Sequence, residues 1–87
     1  MDKTIYTREY SILLRLLAEK REKSGLTQSE LAKRLGLTQS TVSKFERGDR
    51  RLDVVQLRTI CAHLGVSLLD FVSELEKRMP KRKSRRR

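Results

Sequence analysis

At 87 residues, with 21 lysines and arginines against 11 aspartates and glutamates, the chain is sized for one small domain and carries a formal charge of +10. With one cysteine, no long apolar run and no charged-then-apolar leader, neither a disulfide framework nor a membrane span nor a signal peptide is expected, and the expectation is a reduced cytoplasmic protein. A polyanionic partner suits the charge, and dimerisation would help so small a core.

The first predicted element is a helix over 7–24, with Leu13, Leu16 and Leu17 at helical spacing. Next, Leu26-Thr27-Gln28-Ser29 opens a helix over 28–35. Thr27 caps it, Glu30 completes a capping box, and Leu31, Ala32 and Leu35 face inward. The word Leu37-Thr38-Gln39-Ser40 nearly repeats the first and opens a helix over 39–47 that turns Val42 and Phe45 inward. Asp53 with Gln56, and Ser67 with Asp70, start helices over 54–64 and 68–78 in the same grammar of cap, polar third residue and flanking apolar pair. The fourth helix buries Leu57, Ile60, Cys61 and Leu64. On the fifth, Phe71, Leu75, Leu68, Met79 and Val72 form a stripe of about 100°, and Leu69 lies some 60° beyond it.

Glycines stand where these segments end, the single Pro80 follows the last of them, and no strand pattern appears. The expected fold is therefore all-α, a compact five-helix bundle over 1–79. Six of the positive charges fall in 81–87, where no apolar residue could pack, so 80–87 is expected to be a disordered basic tail, leaving +4 on residues 1–80.

The third helix carries the functional reading. At about 100° per residue its inner side holds Val42, Phe45 and Glu46, and the opposite side Ser40, Ser43, Lys44 and Arg47, with Gln39 at the flank of the first turn. Short polar side chains at a helix N-terminus permit close approach to base edges in a major groove. The Gln39 carboxamide could bond adenine N6 and N7 together, Lys44 one turn on could reach guanine, and Ser40 is a third reader. Arg47, Arg50 and Arg51 surround the following turn, where phosphates flanking the groove would pass, with Ser43 and Thr27 assisting. Asp49 interrupts that basic cluster and would orient its neighbours.

The words Gly25-Leu26-Thr27-Gln28-Ser29-Glu30-Leu31-Ala32, Leu37-Thr38-Gln39-Ser40-Thr41-Val42-Ser43-Lys44-Phe45-Glu46-Arg47-Gly48 and Leu64-Gly65-Val66-Ser67 resemble the helix-turn-helix domain of phage repressors and Cro proteins, the Xre family. The resemblance covers residues 15–75. It implies a lambda-repressor-like fold and binding to double-stranded DNA, usually as a two-fold dimer at a promoter. It further implies that Gln28 contacts phosphate and braces Gln39, and that Arg21 pairs with Glu46 to link scaffold to recognition helix.

Repressor, restriction-modification controller and DNA-binding antitoxin, the last with a toxin partner, all fit these residues. A reading of another class is a protein-interaction adaptor similar to bridging coactivators. Leu69, outside the stripe of its helix, is the expected dimer contact. An enzyme is not expected, and no cofactor or metal: one histidine, one cysteine, no phosphate-binding loop and no metal-ligand spacing are present. His63 reads as surface, and Cys61 as a small buried hydrophobe.

Overall fold

The computed structural model describes residues 7–80, which hold five α-helices: α1 Arg8–Lys23, α2 Gln28–Leu35, α3 Gln39–Arg47, α4 Val54–His63 and α5 Leu68–Arg78. The basic run 81–87, with its expected disorder, lies outside the described residues. No strand occurs among those described. The expected helix ends move by a residue only at α1, where Thr7 and Ser24 act as caps, and at α4, where Leu64 is the C-cap.

Local chemistry sets the helix starts. Thr27 Oγ1 accepts from the Glu30 amide at 3.0 Å while the Glu30 carboxylate accepts from the Thr27 amide at 2.8 Å. Asp53 and Gln56 make the same reciprocal pair at 2.7 and 2.9 Å. Thr7, Thr38 and Ser67 cap through the side-chain oxygen toward the third residue. Each such cap satisfies amides that the helix itself cannot, worth about 1 kcal/mol.

The turn between α2 and α3 needs a left-handed residue. Gly36 supplies it at φ 72°, and the Leu37 amide then donates back to Ala32 at 2.8 Å. Gly48 ends α3 the same way, at φ 84° and buried, with the Asp49 amide on the Lys44 carbonyl at 2.9 Å.

α2 packs on α3 and α4, α1 on α3 and α5, and α4 on α5. Their apolar faces meet in one core built from Leu16 and Leu17 of α1, Leu31 and Ala32 of α2, Val42 and Phe45 of α3, Leu57, Ile60 and Cys61 of α4, Leu64 just after it, and Phe71 of α5. Leu13, Leu35, Leu68 and Leu75 are half-buried around it. Burial of each large side chain contributes about 1.5–3 kcal/mol, enough to impose helical geometry on segments of eight to eleven residues that would be marginal alone.

One expectation for α5 is corrected. Val72, placed in the buried stripe, is 36% exposed. The stripe is not centred on the core. Phe71 is fully buried, with Leu68 and Leu75 within about 60° of it on the wheel, whereas Val72 lies about 100° away, beside Leu69. Leu69 itself is 78% exposed.

Two groups of contacts, one at each end, tie α1 to the rest. The Leu52 amide, in the loop before α4, donates to Tyr10 Oη at 3.0 Å, and the Arg51 guanidinium lies 5.5 Å above the Tyr10 ring. At the other end Lys20 meets Glu74 at 2.8 Å, and Arg78 bridges Glu19 and Glu74 at 2.9 and 3.0 Å.

Candidate nucleic-acid interface

α3 is short, and its position comes wholly from its neighbours: Val42 and Phe45 anchor one face, and Gly36 and Gly48 release the chain at either end. That leaves Gln39, Ser40, Lys44 and Arg47 exposed and Ser43 half-buried on the other face. On the wheel these five span about 140°. From Gln39 to Lys44 the helix rises about 7.5 Å, within the width of a major groove.

A hydrogen-bonded chain of side chains runs behind the first turn. Arg21 Nε and Nη2 donate to the two oxygens of Glu46 at 2.6 and 3.1 Å, and Arg21 Nη1 donates to the Leu26 carbonyl at 2.8 Å. The Arg21 and Glu46 side chains are only 12% and 9% exposed. This pairing raises the Arg21 guanidinium above its ordinary value against partial desolvation. Glu46 Oε1 also accepts from Gln28 Nε2 at 2.9 Å, and Gln28 Oε1 accepts from Gln39 Nε2 at 2.7 Å. Three helices thus converge on one polar line that ends at the exposed Gln39.

The basic turn after α3 is ordered by contacts within the chain. Arg47 Nε and Nη2 hold Asp49 Oδ2 at 3.0 and 2.9 Å, and its Nη1 holds Ser43 Oγ at 2.8 Å. Arg50 lies 5.6 Å over the Phe45 ring and Arg51 over Tyr10, so both cations rest on aromatic faces with their side chains exposed. Thr27 is occupied as the cap of α2. There Glu30 adds an acidic group, held below the ordinary carboxylate range by the Thr27 amide, next to the N-terminus where a phosphate was expected.

Of the residues singled out in the sequence, Gln28, Gln39, Ser40, Ser43, Lys44 and Arg47 gather on the α2–α3 surface, with Arg50 and Arg51 at its edge. Leu69 stands apart on α5, beside a groove lined by Arg58, Ala62, Val66 and Leu68. The sequence reading missed Tyr10, whose spacing from Leu13 and Leu17 along α1 was the available signal. Cys61 is fully buried, which pushes its thiol up, and His63 is half-buried. Among the described residues no group of three histidine, cysteine or acidic side chains is placed to hold a metal ion, and no single helix is long and apolar enough to cross a membrane.

Two short helices joined by a glycine turn, the second exposing a polar edge and ending in arginines, define a helix-turn-helix DNA-binding domain. Residues 17–71 match the Helix-turn-helix family. Control protein C.MunI of a Mycoplasma species is 34% identical over 58 residues, covering 67% of this chain and 78% of that protein. An uncharacterised HTH-type transcriptional regulator of Sinorhizobium fredii is 39% identical over 56 residues, 64% and 73% of the two chains. An XRE-family-like protein from Pseudomonas syringae superposes with a TM-score of 0.80 at 46% identity, covering 90% of this chain and 95% of that one. The chain belongs to the Xre family of helix-turn-helix DNA-binding transcriptional regulators.

Proposed function

We propose that the chain is a repressor that binds a palindromic operator as a homodimer, with α3 of each copy in the major groove. The observation that carries this reading is the exposed edge of Gln39, Ser40 and Lys44 on α3, with Gln39 held from behind by Gln28. In this reading these three residues meet base edges. Arg47, Arg50 and Arg51, with Thr27, Gln28 and Ser43, meet flanking phosphates, and the Arg21–Glu46 pair keeps α3 in register with α1. We read residues 1–79 as the DNA-binding domain, and the basic charge of 80–87 suits the same polyanionic partner.

Two exposed residues of α5 support the dimer. Leu69 and Val72 are adjacent exposed apolar side chains on one helix of a small domain, and a two-fold contact through them would place two recognition helices about one DNA turn apart, roughly 34 Å. The similarity to a control protein favours a restriction-modification controller as the second reading, which uses the same dimer and the same DNA edge.

Selection of bound sequences from random duplexes tests the assignment, with a two-fold palindrome as the expected result. Gln39→Ala should cost about 1–3 kcal/mol on the selected site and relax one base pair per half-site. Leu69→Glu should sediment as a folded monomer with much weaker operator binding. A wild type that stays monomeric at high concentration and on DNA would remove the dimer.

A further inference from the structure

We infer that Tyr10 brings α1 into the DNA interface, its phenol O–H donating to the same backbone phosphate that Arg51 meets. The Tyr10 hydroxyl accepts the Leu52 amide at 3.0 Å, and that amide belongs to the residue directly after Arg51. The Arg51 guanidinium lies 5.5 Å above the ring of the same tyrosine. Hydroxyl and guanidinium are therefore held beside one another, although one comes from the first turn of α1 and the other from the basic turn after α3. The Leu52 side chain is buried in the core, which fixes the amide that sets the hydroxyl's direction.

A phenol has a proton to donate as well as lone pairs that accept. The bond from Leu52 uses the oxygen only as an acceptor, and no acceptor among the described residues takes the proton. Accepting a bond from an amide polarises the phenol and makes its O–H the better donor. Tyr10 is half-buried and Arg51 exposed, so the pair is open to a ligand from outside. A donor beside a permanent cation matches an anionic oxygen acceptor, and a backbone phosphate offers one free oxygen to each group. The N-terminal turn of α1 is the positive end of its helix dipole, which favours the same charge.

Because this rests on the chain binding DNA with Arg51 at a phosphate, the experiment separates the two ideas. On a mixed-sequence duplex, Arg51→Ala should flatten the slope of log K against log salt by about 0.9. Tyr10→Phe removes a neutral donor, so it should weaken binding roughly 3- to 10-fold at every salt concentration and keep the wild-type slope. O-methyltyrosine at position 10 keeps an oxygen for the Leu52 amide but has no proton to give, and should weaken binding as much as phenylalanine does. Urea unfolding establishes that each variant is folded in the assay. On the site selected from random duplexes, single phosphates are then replaced by neutral methylphosphonates. The position whose penalty vanishes in Arg51→Ala should be the one whose penalty shrinks in Tyr10→Phe. Wild-type affinity in either position-10 variant overturns the inference. So does a Tyr10→Phe slope as flat as that of Arg51→Ala, which would make the phenol a prop for Arg51 alone, and so does a penalty that shrinks at a different phosphate. An Arg51→Ala protein with the wild-type slope and map overturns the phosphate role of Arg51 itself, and the inference with it.

Discussion

Three nitrogens of the Arg47 guanidinium are bonded within the chain, two to Asp49 and one to Ser43, at the place where the proposed function asks that arginine to meet a phosphate. Asp49 acts on Arg47 as a competing anion, and its charge also repels the DNA backbone directly. Asp49→Asn should therefore tighten binding to specific and unrelated duplexes alike. If release of Arg47 is part of the gain, the same substitution in an Arg47→Ala background should give a smaller one, and the salt slope should steepen by up to about 0.9 only when Arg47 is present. Equal gains in both backgrounds would assign the effect to general electrostatics. At this scale the sequence was legible where chemistry is local: the repeated Thr-Gln-Ser words place Gln28 and Gln39 at equivalent helix starts. The polarity of the bond between them was not legible, because Gln28 also donates to Glu46, eighteen residues away.

At the scale of elements, the helix ends were readable because a cap and its partner lie within three residues, as at Thr27 and Glu30 or Asp53 and Gln56. Tyr10 was not readable as a clamp, since its hydroxyl meets a backbone amide forty-two residues away. That clamp has a measurable role. Tyr10→Phe keeps the ring under Arg51 but strands the part-buried Leu52 amide, and should lower stability by about 1 kcal/mol. The measurement is the midpoint of urea unfolding at unchanged slope. A wild-type midpoint would mean that water replaces the phenol without loss. The same limit explains Val72: the period of α5 was evident, but which edge of its stripe meets the core is decided by α1 and α4, not by α5.

For the whole molecule, the all-α bundle was legible from period and punctuation, whereas the ion network joining α1 to α5 was not, because nothing local pairs Lys20 with Glu74. Hydrogen bonds from Arg78 and Lys20 hold the Glu19 and Glu74 carboxyls below the ordinary carboxylate range, with desolvation opposing. Unfolding returns both to ordinary values, so the unfolded chain binds protons more readily in that range. Their contribution is complete above the ordinary values and is lost as pH falls through them to the lower folded ones. Thermal melts across that acid range should show stability falling, less steeply in Glu74→Gln and less steeply in added salt, since the network is solvent-facing. Identical acid limbs for wild type and Glu74→Gln would show that the Glu74 ion pairs contribute nothing to folding.

The single cysteine, sealed at the centre of the core, turns the protein into its own clock. A thiol reagent cannot reach Cys61 until α4 leaves its neighbours, and burial has already disfavoured the reactive thiolate. When opening and closing are fast relative to labelling, the modification rate reports the equilibrium of the opening that frees α4. A duplex that binds only the closed form should slow that rate by a factor of 1 + [DNA]/Kd. Affinity for any duplex could then be read from label-incorporation half-times on the unmodified sequence, with no fluorophore near the recognition helix.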